Sequence, residues 1–460
     1  VKYNYDNRYF VEASMRYDGS DNFPKDHRWG TFYSGSIGWS LADEAFMETI
    51  REKHIFDMLK IRASYGQVGL DNWGNDGDTY HIGRFAYLTS YGLGGQEYVM
   101  NGEYVPGFWE GSLPSPDLTW FTTDQFDAGF DFSSLNNRLY GSFDYFYYAT
   151  KGFLYAPDAL DVGYTDPLGV SLPKISTDGE HRRAGVEFQL GWRDDIGDFH
   201  YDVAFNFTKF DELWANNPSE SLENKKNPYK RTTQQRGYAG VYYENMGFYK
   251  DANDVYNSVQ RTGSHSLTAG DLKYYDFNGD GVIDGADQHR LGKSSFPRAN
   301  YGLNINLSYK GFSFSTLFQG ATRFDMYLGS VLMMSDANTG SSPTYEFQTD
   351  YWTPENTDAK FPRLLSSTGN NGSNNTVGSD FWLINGGYLR MRDIQVGYDF
   401  KRILLKKSPW ITRLNVALSG QNIFTISEAT KYGIDPENGS ANRYDYPNER
   451  VFAINFGIGF

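Results

Sequence analysis

One pattern recurs along this chain and leaves few folds open to it: long stretches in which apolar and polar side chains alternate with a period of two. From Tyr9, the residues Tyr9, Val11, Ala13, Met15 and Tyr17 interleave with Phe10, Glu12, Ser14, Arg16 and Asp18, so one face is nearly all apolar. The same rule gives Leu59, Ile61, Ala63 and Tyr65 against Lys60, Arg62 and Ser64, and Phe126, Ala128, Phe130 and Phe132 against Gln125, Asp127 and Asp131. It gives Ala184, Val186, Phe188, Leu190 and Trp192 against Glu187 and Gln189. Phe199 to Phe207, Tyr301 to Tyr309, Phe312 to Phe318, Leu414 to Leu418 and Phe452 to Phe460 follow suit. About twelve strands are expected, most of them near the ~10 residues that a tilted strand needs to cross a bilayer. Between Leu389 and Phe400 the parity slips, since Leu389 and Met391 are odd while Ile394, Val396 and Tyr398 are even. A β-bulge near Arg392–Asp393 accounts for the slip.

Soluble sandwiches and propellers alternate too, with the apolar face as their core. Strand length argues against them, because soluble strands usually run about 5 to 6 residues. So do the connections, which are of two kinds. Leu135 to Arg138, Asp194 to Gly197 and Lys310–Gly311 are short, Lys401 to Ile411 is modest, and a helical turn is expected near Asp43 to Phe56. Leu70 to Thr122, Lys151 to His181, Asp211 to Asn300, Arg323 to Gly386 and Ser427 to Arg450 are far longer. Outer-membrane barrels have short periplasmic turns and long extracellular loops. The long set is therefore assigned to the cell exterior, and the last strand runs inward. The fold class expected is all-β, a transmembrane antiparallel β-barrel in the bacterial outer membrane.

Composition agrees. Aromatic residues make up 17% of the chain, with 36 Tyr and 34 Phe, beside an ordinary hydrophobic fraction of 39%, as suits strands between two unlike environments. No run approaches the ~18 apolar residues of a membrane helix. The net charge of -15 argues against nucleic acid as a partner, since no basic stripe is visible. With no cysteine there is neither a disulfide framework nor a thiolate metal site. The chain opens on Val1-Lys2-Tyr3 without a starting Met or a secretory signal, so an N-terminal portion is expected upstream. It closes on an alternating strand with a terminal aromatic, Phe460, which resembles the assembly signal of outer-membrane barrels.

Several blocks resemble one family, the SusC/RagA-type TonB-dependent transporters of Bacteroidetes. They are NRYFVEASMRYDGSDNF at Asn7 to Phe23, LKIRASYGQVG at Leu59 to Gly69, NNRLYGSFDYFYYATKGFLY at Asn136 to Tyr155, DFNGDGVIDGAD at Asp276 to Asp287, and SGQNIFTIS at Ser419 to Ser427. Their order spans nearly the whole chain. A departure is Phe121 after Trp120, where the family often has an acidic residue. The resemblance implies a plugged barrel of about 22 strands, energised through TonB and closed outside by a SusD-like lipoprotein. Residues 1–460 are then the C-terminal barrel portion, about the last twelve strands, with the plug and earlier strands outside this chain.

One motif carries chemistry. Asp276, Asn278, Asp280, Gly281, Asp284 and Asp287 match a calcium loop at positions 1, 3, 5, 6, 9 and 12, and the Val282 carbonyl would supply position 7. Position 12 is Asp instead of Glu, whose shorter arm weakens bidentate binding. The plain alternative is a turn-rich loop without an ion. A bound calcium would stiffen the long loop from Asp211 to Asn300. The seven histidines are scattered, and no His-Glu-x-x-His, G-x-S-x-G or phosphate loop is present, so no enzyme is expected. Asp202 and Glu187 fall on the pore side of their strands, as a solvated wall. Phe108, Trp109, Trp352 and Tyr345 either stack on sugar or peptide groups or hold the loops together. The function expected is import of an oligosaccharide or oligopeptide across the outer membrane. The alternatives are a siderophore or cobalamin receptor, and a non-transporting adhesin or structural barrel.

Overall fold

The computed structural model describes residues 1–72, 81–111, 113–155, 172–329, 345–365, 368–402, 405–407, 409–438 and 448–460. Parts of the expected long connections at 70–122, 151–181, 323–386 and 427–450 lie outside the described residues. The chain forms two compact units, Val1–Phe188 with Phe210–Arg236, and Gln189–Lys209 with Gly237–Phe460.

In the first unit, β1 (Lys2–Tyr5), β2 (Tyr9–Gly19), β3 (Trp29–Ser40), β4 (Met58–Leu70), β5 (Phe121–Ser134) and β6 (Leu139–Tyr155) pair with their neighbours in chain order, all antiparallel. The register separates the faces. Ala13, Gly35, Tyr65, Phe126 and Tyr147 form one cross-strand row, and one residue away Glu12, Ser36, Ser64, Asp127 and Phe146 form another on the opposite face. Stacked aromatic pairs bound the apolar face, Tyr9 on Trp39 at 6.4 Å and Tyr17 on Trp29 at 5.0 Å. Eight residues separate Tyr9 from Tyr17, about 26 Å along the strand and roughly 20 Å in height at a tilt of ~40°. That approaches the ~25 Å apolar band with aromatic girdles of an outer-membrane wall.

Strand β7 (Ile175–Ile196) leads by a tight turn into β8 (Phe199–Asn216). In the second unit β9 (Ala299–Tyr309), β10 (Phe312–Thr322), β11 (Tyr388–Asp399), β12 (Arg413–Gln421) and β13 (Val451–Gly459) continue from β8 in antiparallel order. Tyr201, Leu307, Phe314, Val396, Leu418 and Ile454 make an apolar row; Asp202, Asn306, Ser315, Gln395, Ser419 and Ala453 make the adjacent polar one. The β9–β10 turn is Lys310–Gly311, both at positive φ (45° and 95°), as a two-residue hairpin of matching twist requires. Gly320 on β10 is glycine for space, because a Cβ there would overlap the Tyr301 ring. The bulge lies where parity places it: Leu317 faces Asp393 and Phe318 faces Met391, leaving Arg392 as the extra residue.

The long β-wall agrees with about twelve expected strands, but three of them outrun their expected ends. Strands β6, β7 and β8 have 17, 22 and 18 residues. They continue into Lys151, Glu180, Arg182, Asp211 and Glu212, where apolar alternation stops while the backbone ladder, which needs no apolar side chain, goes on. The connection expected from Asp211 to Asn300 accordingly shrinks to 217–298. The helical turn near Asp43 is present as two 3-10 turns and a short helix ending at Glu52. Phe121 is fully buried against Phe153 and packs with Phe23 and Leu118. An acidic residue there would be desolvated without a partner, which explains the departure from the family pattern.

Candidate cation loop and the layer that holds it

The connections 237–298, 323–329 and 345–387 of the second unit fold into one layer with a core of its own. Leu272, Tyr274, Ile283, Phe324, Phe361 and Trp382 are among its buried side chains. Polar side chains bind the two connections. Asp271, fully buried, accepts from Asn371 Nδ2 at 3.0 Å, Asn375 Nδ2 at 2.9 Å and Arg363 Nη2 at 3.0 Å. Asn375 Oδ1 accepts from the Leu272 N–H at 2.9 Å, and the Tyr274 hydroxyl donates to the Asn374 carbonyl at 2.6 Å. Asp271, Asn371, Asn375 and Tyr274 thereby each have a partner, as burial demands.

The acidic motif hangs on this layer through Ile283, 1% exposed, whose carbonyl accepts from Thr262 N–H at 2.7 Å. Its side chains curl the loop. Asp276 accepts from the N–H groups of Gly279 (2.8 Å) and Gly281 (2.9 Å), Asn278 from Asp280 (2.9 Å), Asp280 from Val282 (2.8 Å) and Asp284 from Ala286 (2.7 Å). Gly279 and Gly281 sit at φ 72° and 83°, a region side chains disfavour. The six expected ligand residues are thus brought into one loop, but not equally. Asn278, Asp280, Val282 and Asp284 are exposed and Asp276 is half-buried, while Asp287 is fully buried. Both Asp287 oxygens are taken by amides, Oδ1 by Phe277 (2.8 Å) and Asn278 (3.2 Å) and Oδ2 by Asp284 (2.8 Å). Asp287 is the buckle of the loop. Among the described residues no three His, Asp or Glu side chains stand close enough together to hold a metal ion. A cation would have to draw the exposed carboxylates of Asp280 and Asp284 towards Asp276.

A second cluster carries no local sequence signal. On β11, the Arg390 side chain is 3% exposed and donates to Glu437 (Nη1, 2.6 Å), Asp435 (Nη2, 2.5 Å) and Thr425 (Nε, 2.9 Å). Glu437 also accepts from Tyr388 at 3.1 Å, Arg392 at 3.1 Å and Asn448 at 2.7 Å. Burial pushes the Asp435 carboxyl up, but the Glu437 N–H and the Arg390 guanidinium outweigh it and hold it below the ordinary aspartate range. Two arginines and two carboxylates so clasp the segment around Asp435 to the inner side of β11. Of the loop aromatics, Tyr345 stacks on Phe347 at 5.4 Å and Trp352 covers Gly270, so both hold the layer together. Phe108 and Trp109 stand in the hairpin Tyr91–Met100/Glu103–Glu110 and remain exposed, Phe108 at 71%. On the polar face of the first unit, Arg62 pairs with Asp127, Asp131 and Asp144.

This wall, its face parity and its aromatic borders can be set beside known proteins. Residues 1–318 match the sequence pattern of the TonB dependent receptor-like β-barrel family. The chain belongs to this family. It is 27% identical over 485 residues to the TonB-dependent receptor P3 of Formosa agariphila, a match covering 100% of this chain and 45% of that protein. It is also 27% identical over 484 residues to the TonB-dependent receptor SusC of Bacteroides thetaiotaomicron, covering 100% and 43%. The solved structure of the RagAB peptide importer in its open-open state superposes with a TM-score of 0.75 at 19% identity, covering 100% of this chain and 46% of that one. The barrel of this TonB-dependent receptor is all-β and crosses the outer membrane with its strands, and it is similar to SusC over its whole length. The chain spans just under half the length of these relatives.

Proposed function

We propose that this chain is the barrel portion of a transporter that imports oligosaccharides or oligopeptides across the outer membrane, driven through TonB and working with a SusD-like surface lipoprotein. The observation that carries this is the likeness to SusC over the entire chain, combined with antiparallel strands that set an apolar row beside a polar one. In this reading the long connections belong to the cell exterior, Asp202, Asn306 and Gln395 line a wet lumen, and the apolar rows meet lipid. The RagAB structure is that of a peptide transporter, and oligosaccharide and oligopeptide stand as the two substrate classes for this chain. Growth and uptake assays with a deletion of the gene, on defined glycans and on peptide digests, decide between them. Unimpaired growth on every such source, or uptake unaffected by loss of TonB, would refute the import function.

The loop from Asp276 to Asp287 is proposed to take calcium through Asp276, Asn278, Asp280, the Val282 carbonyl, Asp284 and Asp287. Support comes from the curled backbone, with oxygen-bearing side chains at alternate positions around two left-handed glycines. The ion would relieve repulsion among the carboxylates and tie the loop to the Ile283 anchor. Calorimetric titration of the full-length protein with calcium should give a heat that Asp280→Ala abolishes, with the loop 217–298 then cut faster by protease. Equal heats for both proteins mean that the loop is an ordinary turn.

A further inference from the structure

The chain has a net charge of -15, yet between Asn224 and Arg236 it carries Lys225, Lys226, Lys230, Arg231 and Arg236 and no acidic residue. The fold sets this stretch against the end of β8. Thr233 forms a parallel bridge with Trp214, Gln234 N–H donates to the Trp214 carbonyl at 2.7 Å, and its side-chain amide donates to the Ala215 carbonyl at 2.8 Å. Asn217 Nδ2 donates to Thr232 Oγ1 at 2.9 Å. The nearby carboxylate of Glu220, 5% exposed, accepts from the N–H groups of Thr232 and Thr233, so its charge is met by the backbone.

Height on the wall follows from strand parity. Phe199, Tyr201, Val203, Phe205 and Phe207 point to the lipid side of β8, and Asp211 has the same parity four residues beyond Phe207. Four residues rise about 13 Å along a strand, or roughly 10 Å above the last apolar ring at a tilt of ~40°. That is headgroup height. Arg236 reaches Asp211 there at 3.5 Å with its side chain 74% exposed. Leu222 and Tyr229, 65% and 54% exposed, stand among the cations. Apolar tips mixed with Lys and Arg are the make-up of a surface that lies on a membrane interface.

We propose that the segment from Leu222 to Arg236, in which the exposed Glu223 is the one acidic residue beside five cations, binds the phosphorylated headgroup of the outer leaflet, lipid A. Clustered Lys and Arg beside a membrane bind anionic headgroups, and Arg pairs with phosphate through parallel N–H donors. The assignment rests on the long connections being outside the cell. The contact anchors the end of β8 at headgroup height.

The test uses the full-length transporter in detergent, titrated with lipid A and with dephosphorylated lipid A, beside a variant combining Lys225→Gln, Lys226→Gln, Lys230→Gln and Arg236→Gln. The expected result is a preference for phosphorylated lipid A that weakens with salt, and an affinity lower by about tenfold or more in the variant. Heat-modifiability shows that the variant is folded. Equal affinity of wild type and variant, or equal binding of the dephosphorylated lipid, overturns the proposal. So does a variant that loses only its SusD-like lipoprotein, since the patch would then be a protein interface. Tyr229→Cys, in a chain without cysteine of its own, should react on whole cells with a membrane-impermeant maleimide. An unlabelled cysteine overturns the exterior assignment and the proposal with it, whereas a labelled one beside unchanged lipid affinity overturns the proposal alone.

Discussion

Two adjacent residues in the middle of β2 separate the faces of the wall with little interference from packing. Ala13 is four residues from Tyr9 and four from Tyr17, whose rings mark the aromatic borders, and Ala13 and Ser14 are both exposed. Neither Ala13→Arg nor Ser14→Arg therefore overfills a core. Ala13 lies about 13 Å along the strand from each border, so roughly 10 Å in height, near the bilayer midplane. An arginine facing lipid at that depth costs about 2 to 4 kcal/mol, which lowers the folding equilibrium roughly 30- to 700-fold at 1.4 kcal/mol per factor of ten. Ser14 points to the polar face, across from Ser34, where an arginine stays hydrated. The full-length variants would be refolded into lipid vesicles and the folded fraction read from heat-modifiable migration over a urea series. Ala13→Arg should lose folded protein at markedly lower urea, with Ser14→Arg close to wild type. Equal losses, or the reverse order, would refute the assignment of faces and with it the lipid-facing rows of the first unit.

At Gly320, an added Cβ must displace the Tyr301 ring, whose hydroxyl donates to the Tyr388 carbonyl at 2.9 Å. Gly320→Ala is expected to destabilise by about 1 to 3 kcal/mol and Tyr301→Phe by only ~1 kcal/mol, as measured by urea unfolding in vesicles. Arg390→Met leaves Asp435 and Glu437 buried without their main cation, a loss of about 3 to 5 kcal/mol. It should raise hydrogen exchange in 428–438 while the strand amides stay protected. The same clasp sets a pH dependence. The Asp435 carboxyl is held below its ordinary value, so its contribution is complete above about pH 3.9 and disappears as pH falls through the lowered value. Exchange in 428–438, corrected for intrinsic rates, should be flat from neutral pH to about pH 5 and rise only below 4; a rise already at pH 6 would contradict it.

How far the sequence reveals this molecule depends on how local each cause is. The wall is legible because every strand between lipid and lumen must alternate, so Val11 and Glu12, or Leu307 and Asn306, announce their faces by themselves. The bulge is legible for the same reason: one extra residue, Arg392, shifts the parity of everything after it. Alternation fails as a guide above the apolar band. There β6 to β8 carry charges on both faces, and only the backbone ladder shows that Lys151 or Asp211 still belongs to a strand. The loop layer and the clasp are further from reach. Asp271 meets Asn371 across 100 residues and Arg390 meets Asp435 across 45, and no spacing rule announces such pairs.

The acidic loop lies between these extremes. Its ligand-type residues are spaced by a local pattern, so the motif is visible in the sequence. What decides whether they act as ligands is not local. Ile283 is held by a core drawn from distant connections, and Asp287 points to the Phe277, Asn278 and Asp284 amides. A glutamate at that position would reach further by one methylene. Asp287→Glu should therefore strain the buckle in the calcium-free protein and, if an ion is taken, partly recover through bidentate contact. Thermal unfolding with and without millimolar calcium measures both effects. A calcium-induced gain larger in Asp287→Glu than in the parent supports ligation at this position. An equal gain in both would leave Asp287 as a backbone buckle whose role ends at shaping the loop.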